Sequence, residues 1–207
     1  MNPSVDLLRG EFGEKIGRAL ESCGDTIVYV DAGSVREILT WLKDAPGQAY
    51  NYLIDITAVE YRDTELPLEV VYFLYSIDRR VQLCVKAQLP KDGELEVDSV
   101  VPLWQGANWL EREVYDMFGI TFRGHPDLRR ILMWETYAEG HPLRKDFPLR
   151  GRFSRSEQVR QALNATPEAH YSMEELSIAK AYVDLPADMQ ERLARGERGR
   201  LRGPEET

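Results

Sequence analysis

Three consecutive stretches in the first half of the chain carry strand patterns with only short connections between them. Tyr50–Glu60 alternates, with Tyr50, Tyr52, Ile54, Ile56 and Ala58 on one face and Asp55 and Thr57 on the other. Leu68–Ile77 is apolar on both faces, as expected of a strand inside a sheet. Val81–Leu89 alternates again, Val81, Leu83, Val85 and Ala87 against Gln82, Lys86 and Gln88. Asp78-Arg79 supplies a tight turn between the last two, and Pro90-Lys91-Asp92-Gly93 closes the run. Strands joined this closely pair antiparallel, because a parallel return needs a long crossover. The run is a meander, and its apolar face has to be covered by other elements.

The covering elements flank it. Residues 5–20 read as a helix, with Val5, Leu8, Phe12, Ile16, Ala19 and Leu20 at 3–4 spacing, Ser4 as a cap and Gly24 as a stop. Thr26–Val30 is a short β-rich run and Asp31-Ala32-Gly33 a turn. Ser34-x-x-Glu37 is a capping box ahead of a second helix, whose Val35, Ile38, Leu39 and Leu42 share a face and which stops before Pro46-Gly47. Residues 103–118 form a third helix with Leu103, Ala107, Leu110, Val114 and Met117 as its stripe. Pro102 suits the first turn and Gly119 the C′ position. The fold class is therefore α+β: a two-layer domain of helices on a mixed sheet over residues 1–120, followed by an extended C-terminal arm.

Beyond Gly119 the periodicity ends while large side chains persist. Pro126, Pro142, Pro148, Gly124, Gly140 and Gly151 punctuate residues 121–151, yet Phe122, Leu128, Ile131, Leu132, Trp134, Tyr137, Leu143, Phe147 and Leu149 lie among them. A loop so apolar is packed on something, its own domain or a partner. Residues 152–207 form the arm, with short helices expected over 156–163, 173–182 and 187–195, the second opened by Ser172-x-x-Glu175, and a frayed Arg/Gly/Glu-rich end.

Charge and composition remove several classes of function. The 207 residues carry a formal charge of −9, which disfavours nucleic acid and anionic membrane surfaces as partners. No apolar run approaches the ~20 residues that span a bilayer, and Met1–Ser4 opens no signal peptide, so no direct membrane insertion is expected. Cys23 and Cys84 are too few for an iron–sulfur or zinc site, and Cys84, in a strand, reads as a buried free thiol. There is no GxGxxG, no GxxxxGK[ST], no GxSxG and no Cys paired with an evident base.

Two polar constellations remain. Glu111-Arg112-Glu113-Val114-Tyr115-Asp116 sets Glu113 and Asp116 three apart on the third helix. A di-iron site would need Glu-x-x-His pairs that this helix lacks. A buried ion-pair network with Arg123, Arg129, Arg130 or Arg144 is the better reading. His125-Pro126 and His141-Pro142 invite a metal, but two loop histidines without a third ligand are weak, and His125 reads as bonding to backbone in a turn. Pro142–Gly151 (PLRKDFPLRG) interleaves apolar and charged residues in a stiff, extended segment suited to a partner's groove.

Glu111-Arg112-Glu113-x-x-Asp116-Met117-Phe118, six residues, His125, three residues, then Arg129-x-Ile131-Leu132 resembles the signature of the thirty-kilodalton subunit family of respiratory complex I, the NADH–quinone oxidoreductase. The run from Pro142 to Gly151 is similar to the segment that follows it there. The resemblance is specific over 104–151 and loose over 1–103. It implies a non-catalytic structural subunit of a hetero-oligomer, in the hydrophilic arm on the cytoplasmic side of the membrane. Such a protein stands beside the large quinone-site subunit and the iron–sulfur subunits. It implies no cofactor in this chain, with FMN and iron–sulfur clusters in neighbouring subunits serving electron transfer from NADH to quinone and proton translocation. Glu111, Arg112, Glu113, Asp116, His125, Arg129, Arg130, Pro142, Leu143, Arg144, Lys145, Asp146 and Phe147 are then expected to contact partner subunits. The resemblance is silent over 152–207, which is expected to wrap a neighbour because its short amphipathic pieces lack a core. The competing readings are a homologous subunit of a membrane-bound hydrogenase-type complex, a stand-alone metal enzyme using Glu111, Glu113, Asp116 and His125, and an RNA-binding protein using the Arg-rich C-terminus.

Overall fold

The computed structural model describes residues 2–62, 66–90, 95–134, 136–165 and 190. Residues 1–154 make one compact unit and 155–207 a second. The first contains α1 (Ser4–Phe12), β1 (Ile16–Ser22), β2 (Asp25–Val30), α2 (Val35–Asp44), β3 (Tyr52–Glu60), β4 (Leu68–Ser76), β5 (Val81–Leu89), β6 (Glu96–Asp98), α3 (Ala107–Phe118) and β7 (Thr121–Arg123). In the second, α4 (Arg155–Ala165) covers the first expected helix of the arm. The helices expected over 173–182 and 187–195 lie outside the described residues, residue 190 apart.

The five-stranded sheet has the order β1-β2-β5-β4-β3. β3, β4 and β5 pair antiparallel as the expected meander, and β4 is an interior strand. β2 joins β5 in parallel, which makes the sheet mixed. Alternate residues of neighbouring strands stand in register, so Ile56, Tyr72, Val85 and Val28 line up across one face. All four are buried, with Val5 and Leu8 of α1, Ile38, Leu39 and Leu42 of α2, and Val114 and Met117 of α3 in the same core. Each fully buried Leu, Ile or Val contributes about 1.5–3 kcal/mol relative to exposure. The alternation of β3 breaks at a register shift between Leu53 and Asp55, which leaves Ile54 exposed although it shares the apolar pattern.

The expected helix over 5–20 is corrected. It stops at Phe12, Gly13 turns at φ 54°, and Ile16–Ser22 becomes strand β1 against β2. Cys23 and Gly24 hold φ 54° and 92°, so Gly24 closes a two-residue hairpin instead of ending a helix. Residues 16–20 carry apolar side chains at a spacing both structures tolerate, and the hairpin supplies a full ladder that a frayed helix end does not. Ser4 lies inside α1 with its Oγ 3.0 Å from Tyr50 Oη, while Asn2 Oδ1 accepts the Ser4 N–H. The capping box also fails. Ser34 Oγ donates to Asp31 and Glu37 pairs with Lys15 at 2.6 Å.

The third helix begins at Ala107, four residues later than expected, because Val101–Leu103 are held in a turn by Leu103 N–H to Val100 O. Its end falls at Gly119, with φ 75° and the N–H bonded to Tyr115 O. β6 and β7 form a small parallel pair with no signal in the sequence beyond three residues each. Among the described residues, no helix is long and apolar enough to cross a membrane. Cys84 is a buried free thiol, and burial pushes it up to about 11, so it stays protonated at neutral pH.

Candidate functional site

Arg112 and Asp116 of α3 turn inward and hold down the irregular segment that follows the helix. Asp116 has no exposed surface. Its Oδ2 accepts three successive backbone N–H groups, from Ile131 at 3.1 Å and from Leu132 and Met133 at 2.8 Å. Its Oδ1 takes Arg130 Nη1 at 2.7 Å. Burial alone would raise its pKa, but these four donors outweigh burial and hold the carboxyl below its usual range.

Arg130 is the second centre of the network. Its Nη2 donates to Gly140 O at 3.0 Å, and its guanidinium lies 5.3 Å from the Tyr137 ring centroid, so one side chain ties α3 to both 137 and 140. Arg112, one turn before Asp116, donates Nε to Arg129 O and Nη2 to Arg130 O, both at 3.1 Å, and packs 5.1 Å from the Trp109 centroid. His125 bonds to backbone as expected. Its Nδ1 accepts Asp127 N–H at 3.0 Å, which puts the ring proton on Nε2, 3.2 Å from Asn108 O. His141 Nδ1 donates to Asp116 O at 3.0 Å, and Leu143 N–H reaches Met117 O at 3.1 Å.

Glu111 faces the other way. It is fully buried and accepts Ser99 Oγ and Val100 N–H, each at 2.7 Å. Burial raises its pKa to about 7 against those two bonds. Farther along, Glu60 at the end of β3 accepts the Lys145 N–H and lies 3.8 Å from Arg144 Nε, which is equally far from Asp146.

Three of the residues expected to touch partners are therefore corrected. Glu111 and Asp116 have no surface, Arg112 retains 8%, and all three are engaged inside the chain. The expected ion-pair network exists, but through Arg130. Arg123 pairs with Asp98 at 3.0 Å and Arg129 with Asp127 at 2.9 Å, both in solvent. Glu113, Arg129, Leu143, Lys145 and Asp146 are exposed, and Pro142, Arg144 and Phe147 are half-buried. Glu111, Asp116 and His125, the residues of the metal reading, are each bonded to separate partners and do not form one cluster among the described residues. Glu60 and Glu139 join this region without a sequence signal. A contact from residue 60 to residue 145 leaves no local trace.

Gly119 shows how closely the segment lies on the helix. A methyl group there would stand 2.6 Å from His141 Cδ2 and Nε2, and the residue holds φ 75°. Gly119→Ala is expected to cost roughly 2–4 kcal/mol from left-handed strain plus overpacking, read in urea unfolding. It should also displace the His141 Nδ1 resonance in a nitrogen-15 spectrum. A loss under 1 kcal/mol would mean that the segment is not seated as described.

The same fold occurs in two solved structures. One solved structure, titled as the trypsin-resistant fragment (1-134) of Nqo5, aligns with a TM-score of 0.53 and 28% identity, over 60% of this chain and 96% of that one. A chain from an archaeal membrane-bound sulfane sulfur reductase aligns with a TM-score of 0.58 and 24% identity, over 70% and 84%, which shows a common fold. Residues 28–153 match the family described as the respiratory-chain NADH dehydrogenase 30 Kd subunit, and the chain belongs to that family. It is 46% identical over 151 residues to the C subunit of NADH-quinone oxidoreductase from Geobacter metallireducens, spanning 72% of this chain and 91% of that one. It is 41% identical to a C subunit of the same enzyme from Rhizobium etli, over 73% and 81%.

Proposed function

We propose that this chain is a structural subunit of an NADH–quinone oxidoreductase, without a cofactor or active site of its own. It lies on the cytoplasmic side of the membrane as part of the hydrophilic arm. There it supports the large quinone-site subunit and the iron–sulfur subunits, while FMN and iron–sulfur clusters in its neighbours carry electrons from NADH to quinone and the complex moves protons.

The observation that carries this reading is the use the chain makes of its signature. Asp116, Arg130 and Arg112 fix residues 129–133, Tyr137 and Gly140 from inside, and this segment and its continuation display apolar side chains outward. Leu132 is 60% exposed and Leu143 52%, with Leu149 and Phe153 also exposed. A rigid irregular surface with scattered large apolar groups and a charged rim suits a permanent protein interface. Ordering the segment within the subunit lowers the entropy lost on association.

The test is co-purification of a tagged chain with NADH–quinone activity in mild detergent. Leu132→Asp with Leu143→Asp should cut recovery of the assembly tenfold or more. The stability of the isolated chain should stay within roughly 0.5 kcal/mol, as exposed substitutions do. Full recovery of an active assembly would sink the interface assignment. A nickel–iron large subunit in the eluate would reassign the chain to a hydrogenase-type relative.

A further inference from the structure

A cavity of about 320 Å³ opens beside the C-terminal end of α3. Its walls include Phe118, Gly140, His141, Arg144, Phe147 and Arg152. Two features set it apart from an ordinary surface cleft. First, Arg144 Nη1 is buried and has no hydrogen-bond partner among the described residues. The two carboxylates near this guanidinium, Glu60 and Asp146, both lie 3.8 Å from Nε, beyond hydrogen-bond distance, and Glu60 also accepts the Lys145 N–H. A guanidinium has five donors in a fixed fork, and a buried donor left without an acceptor is costly. Second, a further guanidinium lines the same space. Arg152 lies 6.0 Å from the Phe147 ring centroid, and its backbone N–H is fixed by Glu139 Oε2 at 3.0 Å. Among the described residues, the only carboxylate in the wall is Asp146, which is largely exposed.

We propose that this cavity is a socket for a single carboxylate, presented on an acidic side chain of a neighbouring subunit. The inference rests on the interface reading above. Arg144 lines the wall and its Nη1, which lies just beneath it without an acceptor, supplies a charge-assisted bond once the guanidinium turns to meet the incoming carboxylate; Arg152 adds a second positive group, and His141 a ring edge held in place by its bond to Asp116 O. The aromatic walls, Phe118 and Phe147, fit the short aliphatic stem of a Glu or Asp, and a cavity of this size accepts one side chain rather than a helix. A bidentate guanidinium–carboxylate contact fixes direction as well as position, as a docking register requires.

The test uses the full chain and follows the Arg144 and Arg152 Nε–Hε resonances by nitrogen-15 NMR. N-acetyl-glutamate amide is titrated against N-acetyl-glutamine amide at constant ionic strength, with inorganic phosphate as a third probe. The expected result is a saturable shift at Arg144 with the glutamate probe, none with the glutamine probe, and loss of the response in Arg144→Met. Equal, linear responses to both amides would overturn the socket, and this comparison holds in the wild type even if Arg144→Met fails to fold. Saturation by phosphate without saturation by glutamate would assign the site to a free anion and overturn the partner carboxylate. Failure of the titration in a chain that still co-purifies with the complex sinks the socket and leaves the scaffold reading standing. A positive titration in a chain that never co-purifies sinks the scaffold reading and the partner as the source of the carboxylate.

Discussion

Asp116→Ala is expected to destabilise the chain by roughly 3–5 kcal/mol, the range for removing one member of a buried ion pair and stranding the other. The carboxylate has no exposed surface and faces four donors. Its removal leaves three adjacent backbone N–H groups and one guanidinium amine without that acceptor in a dry site. For a unit of about 150 residues, each kcal/mol lowers the midpoint by about 2–4 °C, so the thermal shift should be of order 10 °C. Asp116→Asn keeps the shape and one acceptor oxygen, but its amide NH2 points donors at donors. It should recover only part of the loss. Glu113→Ala, an exposed change on the same helix, should fall within roughly 0.5 kcal/mol of the parent. Measured by urea unfolding, a loss at Asp116 no greater than that at Glu113 would refute the bracing role. The lowered pKa fixes the pH dependence. The folded state holds this carboxyl ionised below its usual range, so its contribution is complete above the unfolded value near 3.8 and disappears as pH falls through the folded value.

The same aspartate shows which parts of this protein are legible in its sequence. Helix α2, the β3–β5 meander and the Gly119 stop are local: each depends on periodicity or on one residue's backbone freedom, and each can be read directly. β1 reads as helix because Ile16, Ala19 and Leu20 satisfy a helical spacing. The positive-φ residues decide otherwise: Gly13, which ends α1, and the pair Cys23-Gly24, which reverses the chain onto β2. The polar cluster of α3 stands out as a unit, and a buried network is its favoured local reading. Its assignment to partner contacts comes from treating charge as surface. A carboxylate is buried when donors surround it, and here those donors are backbone N–H groups of residues 131–133, which have no side-chain identity to read. Glu60 with residues 144 and 145 is a longer-range instance, set by where the end of β3 comes to lie.

Glu111, five residues before Asp116, should impose the opposite pH dependence. It accepts two bonds, from Ser99 Oγ and Val100 N–H, and no cation lies within ion-pair distance among the described residues. Burial dominates and lifts the carboxyl from 4.5 to about 7. The folded state then binds a proton more tightly than the unfolded chain between these values. Stability from this group is therefore full below about 4.5 and falls as pH rises toward 7, because the slope follows the difference in protons bound by the unfolded and folded states. At 1.36 kcal/mol per unit, the loss across the window is about 3 kcal/mol. Glu111→Gln removes the titration while keeping an acceptor for Val100 N–H. The variant should match or fall slightly below the parent near pH 5 and exceed it at pH 8 by up to about 3 kcal/mol, less the cost of orienting the amide. Urea unfolding of both proteins from pH 4.5 to 8 decides the matter, because the difference between the two curves isolates this one group from Asp116 and the histidines. A constant difference across the range would mean that Glu111 is ionised throughout. Its two donors would then outweigh burial, as the four donors at Asp116 do. With the titration present, the two carboxylates of α3 bracket the stability of the fold, Asp116 governing the acid limb and Glu111 the approach to neutrality.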